Sequence, residues 1–111
     1  MSTATSGRAR EYRVRDHLES LGYPFVMRAA ASKGAADLLH GHPLVGAVLV
    51  QVGTSNKTLN QEGRDRFCEA ADLCHALPVL ATVIATPGKR TEITFWRVTR
   101  DVPSTWRSWT P

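Results

Sequence analysis

Residues 35–52 read AADLLHGHPLVGAVLVQV. Two apolar runs, residues 35–40 and 47–52, flank Gly41-His42-Pro43-Leu44-Val45-Gly46. Glycine and proline between apolar runs punctuate a connection between antiparallel strands. With the turn centred near Leu44, facing residues have numbers that sum to about 88, which sets Asp37 opposite Gln51 with their Cβ atoms about 5 Å apart. Both are polar exceptions in otherwise apolar strands. Aspartate is disfavoured in a strand, and burying an unpaired carboxylate costs several kcal/mol. Asp37 is therefore expected at the sheet rim, paired, or beside a cation.

Working outward, residues 7–21 carry Val14, Leu18 and Leu21 at i, i+4 and i+7, with Gly22 suited to close a helix. A leader of about six residues precedes it. Glu11 lies three and seven residues before Val14 and Leu18, so the face that buries those side chains carries this carboxylate toward the core edge. An i,i+4 ion pair with Arg15 on a solvated face is the plain alternative. Residues 23–30 follow as an edge strand after Pro24, and Ala31-Ser32-Lys33-Gly34 as a short loop.

Downstream, residues 59–76 place Phe67, Ala70, Ala71 and Cys74 at helical spacing, with Asn60 as N-cap and Gly63 weakening the first turn. The run PVLATVI at 78–84 is apolar throughout, as in a strand covered on both faces. A turn at Thr86-Pro87-Gly88-Lys89 leads to an alternating last strand, residues 91–98, and residues 101–111 form a tail of ambiguous structure carrying Trp106 and Trp109. The expected fold is a single α/β domain over residues 7–100. A mixed sheet of about five strands, flanked by helices, runs in the order α-β-β-β-α-β-β.

The 111 residues carry a net charge of +4, and Arg8, Arg10, Arg13, Arg15, Arg28 and Lys33 all fall in the first third. This distribution favours nucleic acid as the anionic partner, against the alternatives of a merely solvated basic face or an acidic protein partner. No apolar run reaches the roughly 18 residues of a membrane span, and the polar start lacks the core of a signal peptide. Cys68 and Cys74 are six apart, without zinc-type pairing, and are expected as free structural thiols. His40 and His42 form H-x-H in the loop with no third ligand nearby and are read as turn residues. His17 and His75 are lone helix histidines, read as solvated or packed. Trp96, Trp106 and Trp109 are read as packing or subunit-interface residues before base-stacking ones.

Taken in order, a glutamate in the first helix, Ser32-Lys33-Gly34-Ala35-Ala36-Asp37-Leu38, Val48-Leu49-Val50-Gln51-Val52, and a helix leading into Pro78-Val79-Leu80-Ala81 resemble the Holliday-junction resolvase branch of the PD-(D/E)XK nuclease superfamily. The resemblance covers about residues 7–98. It implies a restriction-endonuclease-like fold and a homodimer that cuts symmetrically related strands of a four-way DNA junction in the cytoplasm of a prokaryotic cell or phage-infected host. It also implies Mg²⁺ (or Mn²⁺) held by Glu11, Asp37, Gln51 and the Val52 carbonyl, Gln51 taking the place of the acidic residue of the E-x-K element. Arg8, Arg10, Arg13, Arg28, Ser32 and Lys33 would then face the DNA backbone, and a helix comparable to residues 59–76 would contribute to the dimer contact.

Two departures bear on activity. Gly53 stands where the E-x-K lysine belongs, and Gln51 is neutral. Phosphodiester hydrolysis needs a cation to polarise the phosphate and a nearby ammonium to steady developing charge. Lys33 or Lys57 would have to supply that ammonium; otherwise the domain binds DNA without cutting it. Tyr12 also replaces an arginine that often follows the helix glutamate in the resolvases.

Overall fold

A computed structural model describes residues 3–23, 26–28, 36–55 and 59–111, with side chains from residue 8 onward and excepting that of residue 28. The chain is an α/β protein in which two α-helices accompany a mixed six-stranded sheet. In chain order the elements are α1 (Thr3–Ser20), β1 (Val26–Arg28), β2 (Leu38–His42), β3 (Gly46–Gly53), α2 (Gln61–Leu73), β4 (Ala76–Ile84), β5 (Glu92–Arg97), a short 3-10 turn (Pro103–Thr105) and β6 (Arg107–Trp109). The spatial order of the strands is their chain order. Every neighbouring pair is antiparallel except β3 and β4, which run parallel with α2 as the crossover between them.

The β2–β3 register pairs Leu38 with Val50 and His42 with Gly46, the spacing that the turn at Leu44 requires. β4 is central, with β3 and β5 as its neighbours, and residues Val79 through Val83 are buried. The sheet has six strands where about five were expected. The added one, β6, lies in the tail; Trp109 pairs with Phe95 and packs on the core, while Trp106 is buried and donates from Nε1 to the Asp101 carbonyl at 3.2 Å.

Each helix covers one face of the sheet. Val14 and Leu18 of α1 pack with Leu38, Val48, Val50, Val79 and Ala81, whereas Phe67, Cys68 and Ala71 of α2 pack with Leu49 and Leu80. The alternation Val48, Leu49, Val50 is the period-2 pleat that sends successive side chains to opposite faces. Helix α1 begins at Thr3, four residues before the expected Gly7, because a glycine inside a helix costs only about 1 kcal/mol and nothing upstream breaks the pattern. It ends where expected: Gly22 adopts φ +96° and the Tyr23 N–H reaches back to the Leu18 carbonyl, a closure glycine permits without a Cβ clash. Helix α2 opens on Asn60, whose side chain accepts from the Gly63 N–H at 2.8 Å.

His40 and His42, expected in the loop, belong to β2, because the turn tightens to residues 43–45. They share one face with Tyr23 and Trp109: Tyr23 lies 5.0 Å from His40 and 5.6 Å from His42, and Trp109 lies 5.5 Å from His42, ring centroid to centroid. Cys68 is buried, Cys74 exposed, and both are free thiols. Among the described residues, no helix is long and apolar enough to cross a membrane.

Candidate functional site

The site is built where the β2–β3 ladder ends. Asp37 sits in a bend one residue before β2, not inside a strand, and its N–H donates to the Val50 carbonyl at 2.8 Å. Its carboxylate Oδ2 accepts from the Val52 N–H at 2.8 Å. A side-chain oxygen thus takes the ladder position that a backbone carbonyl would otherwise fill, which satisfies a donor of β3 and fixes the carboxylate. The paired register ends at Leu38 with Val50, and Asp37, just beyond it, bonds to the residues on either side of Gln51, Val50 and Val52. Asp37 and Gln51 are both half-buried.

By the pleat, Gln51 and Gly53 fall on the α2 face with Leu49, and Val52 falls on the α1 face, where it packs against the Val14 cluster. Gly53, the last residue of β3, pairs with Thr82. Thr82, Thr54, Ser55, Ile84 and Trp96 line a cavity of about 230 Å³ at this end of the sheet. Trp96 is tied in place through Nε1, which donates to Thr82 Oγ1 at 3.4 Å. Gly53 itself is buried; its ladder partner Thr82 and its neighbour Thr54 line this cavity.

Glu11 reaches this end from the other face. Tyr23, just after α1, packs on His40 and His42 at the hairpin end, while Arg13 donates from its guanidinium to Thr91 Oγ1 at 2.6 Å, next to the Glu92–Ile84 pair. Helix α1 therefore runs from the carboxyl ends of β3 and β4 toward the hairpin, with half-buried Glu11 at the same end as Asp37 and Gln51. Arg15 does not wait in solvent: it lies over the Tyr12 ring at 4.7 Å and pairs with Asp16 at 3.2 Å and Glu19 at 3.7 Å.

Among the described residues, no three His, Cys, Asp or Glu side chains stand close enough to share a metal ion. The oxygen donors at this end are the Asp37 carboxylate, the Gln51 side-chain oxygen and the Val52 carbonyl; Glu11 lies on the helix that covers the opposite face from Gln51, so the expected three side chains do not share one face. Oxygen donors suit a hard cation that keeps part of its water shell; the charge supplied is low because Gln51 is neutral. Of the expected DNA-facing residues, Arg8 is exposed, Arg10 half-buried, and Arg13 exposed but engaged with Thr91. Ser32, Lys33, Lys57 and the side chain of Arg28 lie outside the described residues.

Two features escaped the sequence reading. Arg64, on the inner face of α2, is buried, donating to the Leu59 carbonyl at 2.9 Å and to Gln61 Oε1 at 2.8 Å, so its guanidinium anchors the segment entering the helix. His40 is fully buried with Nδ1 on the Gly41 carbonyl and Nε2 without a partner. Burial pushes its pKa down, the Gly41 hydrogen bond opposes this, and neighbouring His42 lowers it further. Burial likewise raises the Cys68 thiol, with lesser and opposed contributions from Arg100, Asp72 and Asp65.

No protein-family model matches the chain, and no curated protein sequence does.

Proposed function

We propose that the chain is a metal-dependent, structure-selective DNA endonuclease on a restriction-endonuclease-like frame, of the Holliday-junction resolvase type. The observation that supports this reading is the Asp37 carboxylate fixed at the end of the β2–β3 ladder, bonded to Val50 and Val52 on either side of Gln51 and beside the parallel pair β3–β4. The element order α-β-β-β-α-β supports it. In open sheets, ligands gather beyond the carboxyl ends of parallel strands, the end at which these residues stand.

In this reading Asp37 would hold Mg²⁺ (or Mn²⁺) with Gln51 and the Val52 carbonyl as neighbouring oxygen donors, and Glu11 would have to reach it around the end of the sheet from the α1 face. The ion, when bound, polarises a phosphodiester and lowers the pKa of a water. The Asp37 carboxylate keeps one oxygen on Val52 N–H, which fixes the orientation of the other. Arg8, Arg10 and Arg28 hold the backbone, Lys33 or Lys57 supplies the ammonium that Gly53 lacks, and a homodimer addresses symmetrically related strands.

A second reading, a junction or duplex binder without catalysis, is favoured by one observation: Gly53 leaves the E-x-K position without a cation. Incubating the protein with a labelled four-way junction and Mg²⁺ or Mn²⁺ separates the two. Paired nicks that vanish in Asp37→Ala support the nuclease. An intact junction under every metal condition, with binding that weakens steeply as salt rises, supports the binder. Gly53→Lys restores the lysine that the resemblance places at this position, and a gain in cleavage of at least tenfold is expected. Absence of any DNA affinity at low salt refutes both readings.

A further inference from the structure

We propose that Arg97 and Arg107 form a phosphate-binding site on strands β5 and β6, separate from the Asp37–Gln51 end. The β5–β6 register sets the two arginines directly opposite each other. Like charges on facing strand positions repel, so a sheet that places them there unneutralised is poised to take an anion between them. Both side chains are exposed, and neither has a hydrogen bond or ion pair with any described residue. By contrast, Arg100 pairs with Asp72 at 3.4 Å and Arg66 with Glu62 at 3.0 Å.

The pair does not stand on a flat surface. Arg97 and Arg107 line a cavity of about 460 Å³ together with Thr99, Thr105, Leu77 and Pro78, and no carboxylate lines it. Two guanidinium forks around an acid-free hollow, with the Thr99 hydroxyl proton free beside them, match a tetrahedral oxyanion with several acceptor oxygens, which arginine binds through paired N–H donors. The walls are held: the Val98 N–H donates to the Pro78 carbonyl at 3.0 Å, Thr105 Oγ1 to the Val102 carbonyl at 2.7 Å, and Thr99 Oγ1 accepts from the Asp101 N–H at 3.2 Å. A third or fourth arginine is not needed.

Arg97 follows Phe95 by two residues and Arg107 precedes Trp109 by two, so both lie on the α1 face, opposite to that of Gln51. The strand ladder puts two to three strand spacings, roughly 10–14 Å, between Gln51 and the pair. A phosphate here is thus not the one that meets Asp37. Its source is either the backbone of a bound nucleic acid or a free phosphorylated molecule; the chemistry recognised is the same.

Titrating the ¹⁵N-labelled full chain with inorganic phosphate, against chloride at matched ionic strength, tests the site. Saturable shifts of the Arg97 and Arg107 side-chain N–H signals and of the Thr99 and Thr105 amides are expected. In Arg97→Gln/Arg107→Gln, affinity falls at least tenfold while the thermal midpoint does not drop, since only exposed like charges are removed. Arg107→Lys, which keeps the charge but loses the fork, falls between. Shifts that chloride reproduces, that spread evenly over Arg8, Arg66 and Arg90, or that survive the double substitution overturn the proposal. A short DNA duplex that moves the same signals assigns the phosphate to nucleic acid; movement with phosphate alone assigns it to a free molecule, and either result supports the site. Cleavage is no part of the readout, so a chain that proves not to be a nuclease leaves this inference untouched.

Discussion

Asp37 and His40 are three residues apart, and the fold treats them in opposite ways. Asp37, at the open end of the β2–β3 ladder, is half-buried and takes the Val52 N–H as its partner. His40, toward the hairpin, is fully buried between aromatic rings with its Nε2 unmatched. A polar group at a ladder end finds backbone donors and keeps an open side toward solvent. One carried into the sheet interior must shed its charge and serve as packing. The hydrogen-bonded, half-open residue is the one available for chemistry, and the buried one contributes to shape.

The largest effect that sharpens this contrast is expected at Asp37. Asp37→Asn keeps an oxygen to accept from Val52 but removes the negative charge. Junction cleavage should fall by about 100-fold or more, the scale of losing one preorganised electrostatic group. Stability should change by less than about 1 kcal/mol, because the ladder hydrogen bond survives in neutral form. A large loss of stability with unchanged cleavage would reverse the roles assigned to the two residues.

At His40 the expected effect falls on stability and depends on pH. Its folded pKa lies below the ordinary value of 6.5, so the unfolded chain binds the proton more readily. Stability is then complete above about pH 6.5 and declines as pH falls toward the folded value, by at most about 1.4 kcal/mol per pH unit from this one group. Urea midpoints between pH 7.5 and 5.5 measure the slope. His40→Phe, which fills the same aromatic cluster without a titrating nitrogen, should flatten that part of it. An unchanged slope would show that His40 is not held neutral.

The difference between these two residues was partly legible in the sequence. Period-2 alternation and a turn at Leu44 are local signals, and together they set the β2–β3 register from Leu38–Val50 to His42–Gly46, with Asp37 just outside it and bonded to Val50 and Val52. The burial of His40 was not legible, because it depends on Tyr23 and on Trp109, which arrives from the far end of the chain. The same long-range pairing hid β6: three residues with two polar members carry no period of their own, and the strand exists through its ladder with β5. The Arg97–Arg107 pair shared that fate, since its members meet only once β6 is in place. Spacing put Glu11 on α1, where it is half-buried, yet only the Arg13–Thr91 bond shows toward which end of the sheet that helix points.

The smallest expected effect probes another polar group satisfied by backbone, at the start of α2. Asn60 accepts from the Gly63 N–H, so Asn60→Ala should cost about 1 kcal/mol by urea denaturation, the usual value of an N-cap. Gly63 was expected to weaken this turn, but a Cβ there would meet Asn60 Oδ1 at 3.2 Å and Leu59 Cδ2 at 3.3 Å. The absence of a side chain lets the cap and Leu59 close over the helix end. Gly63→Ala should therefore return clearly less than the roughly 1 kcal/mol that alanine gains over glycine in an open helix. In the Asn60→Ala background the cap oxygen is gone and part of that gain should reappear. A full gain in the parent chain would mean that the cap is loose, and that Asn60, unlike Asp37, is not held by its backbone donor.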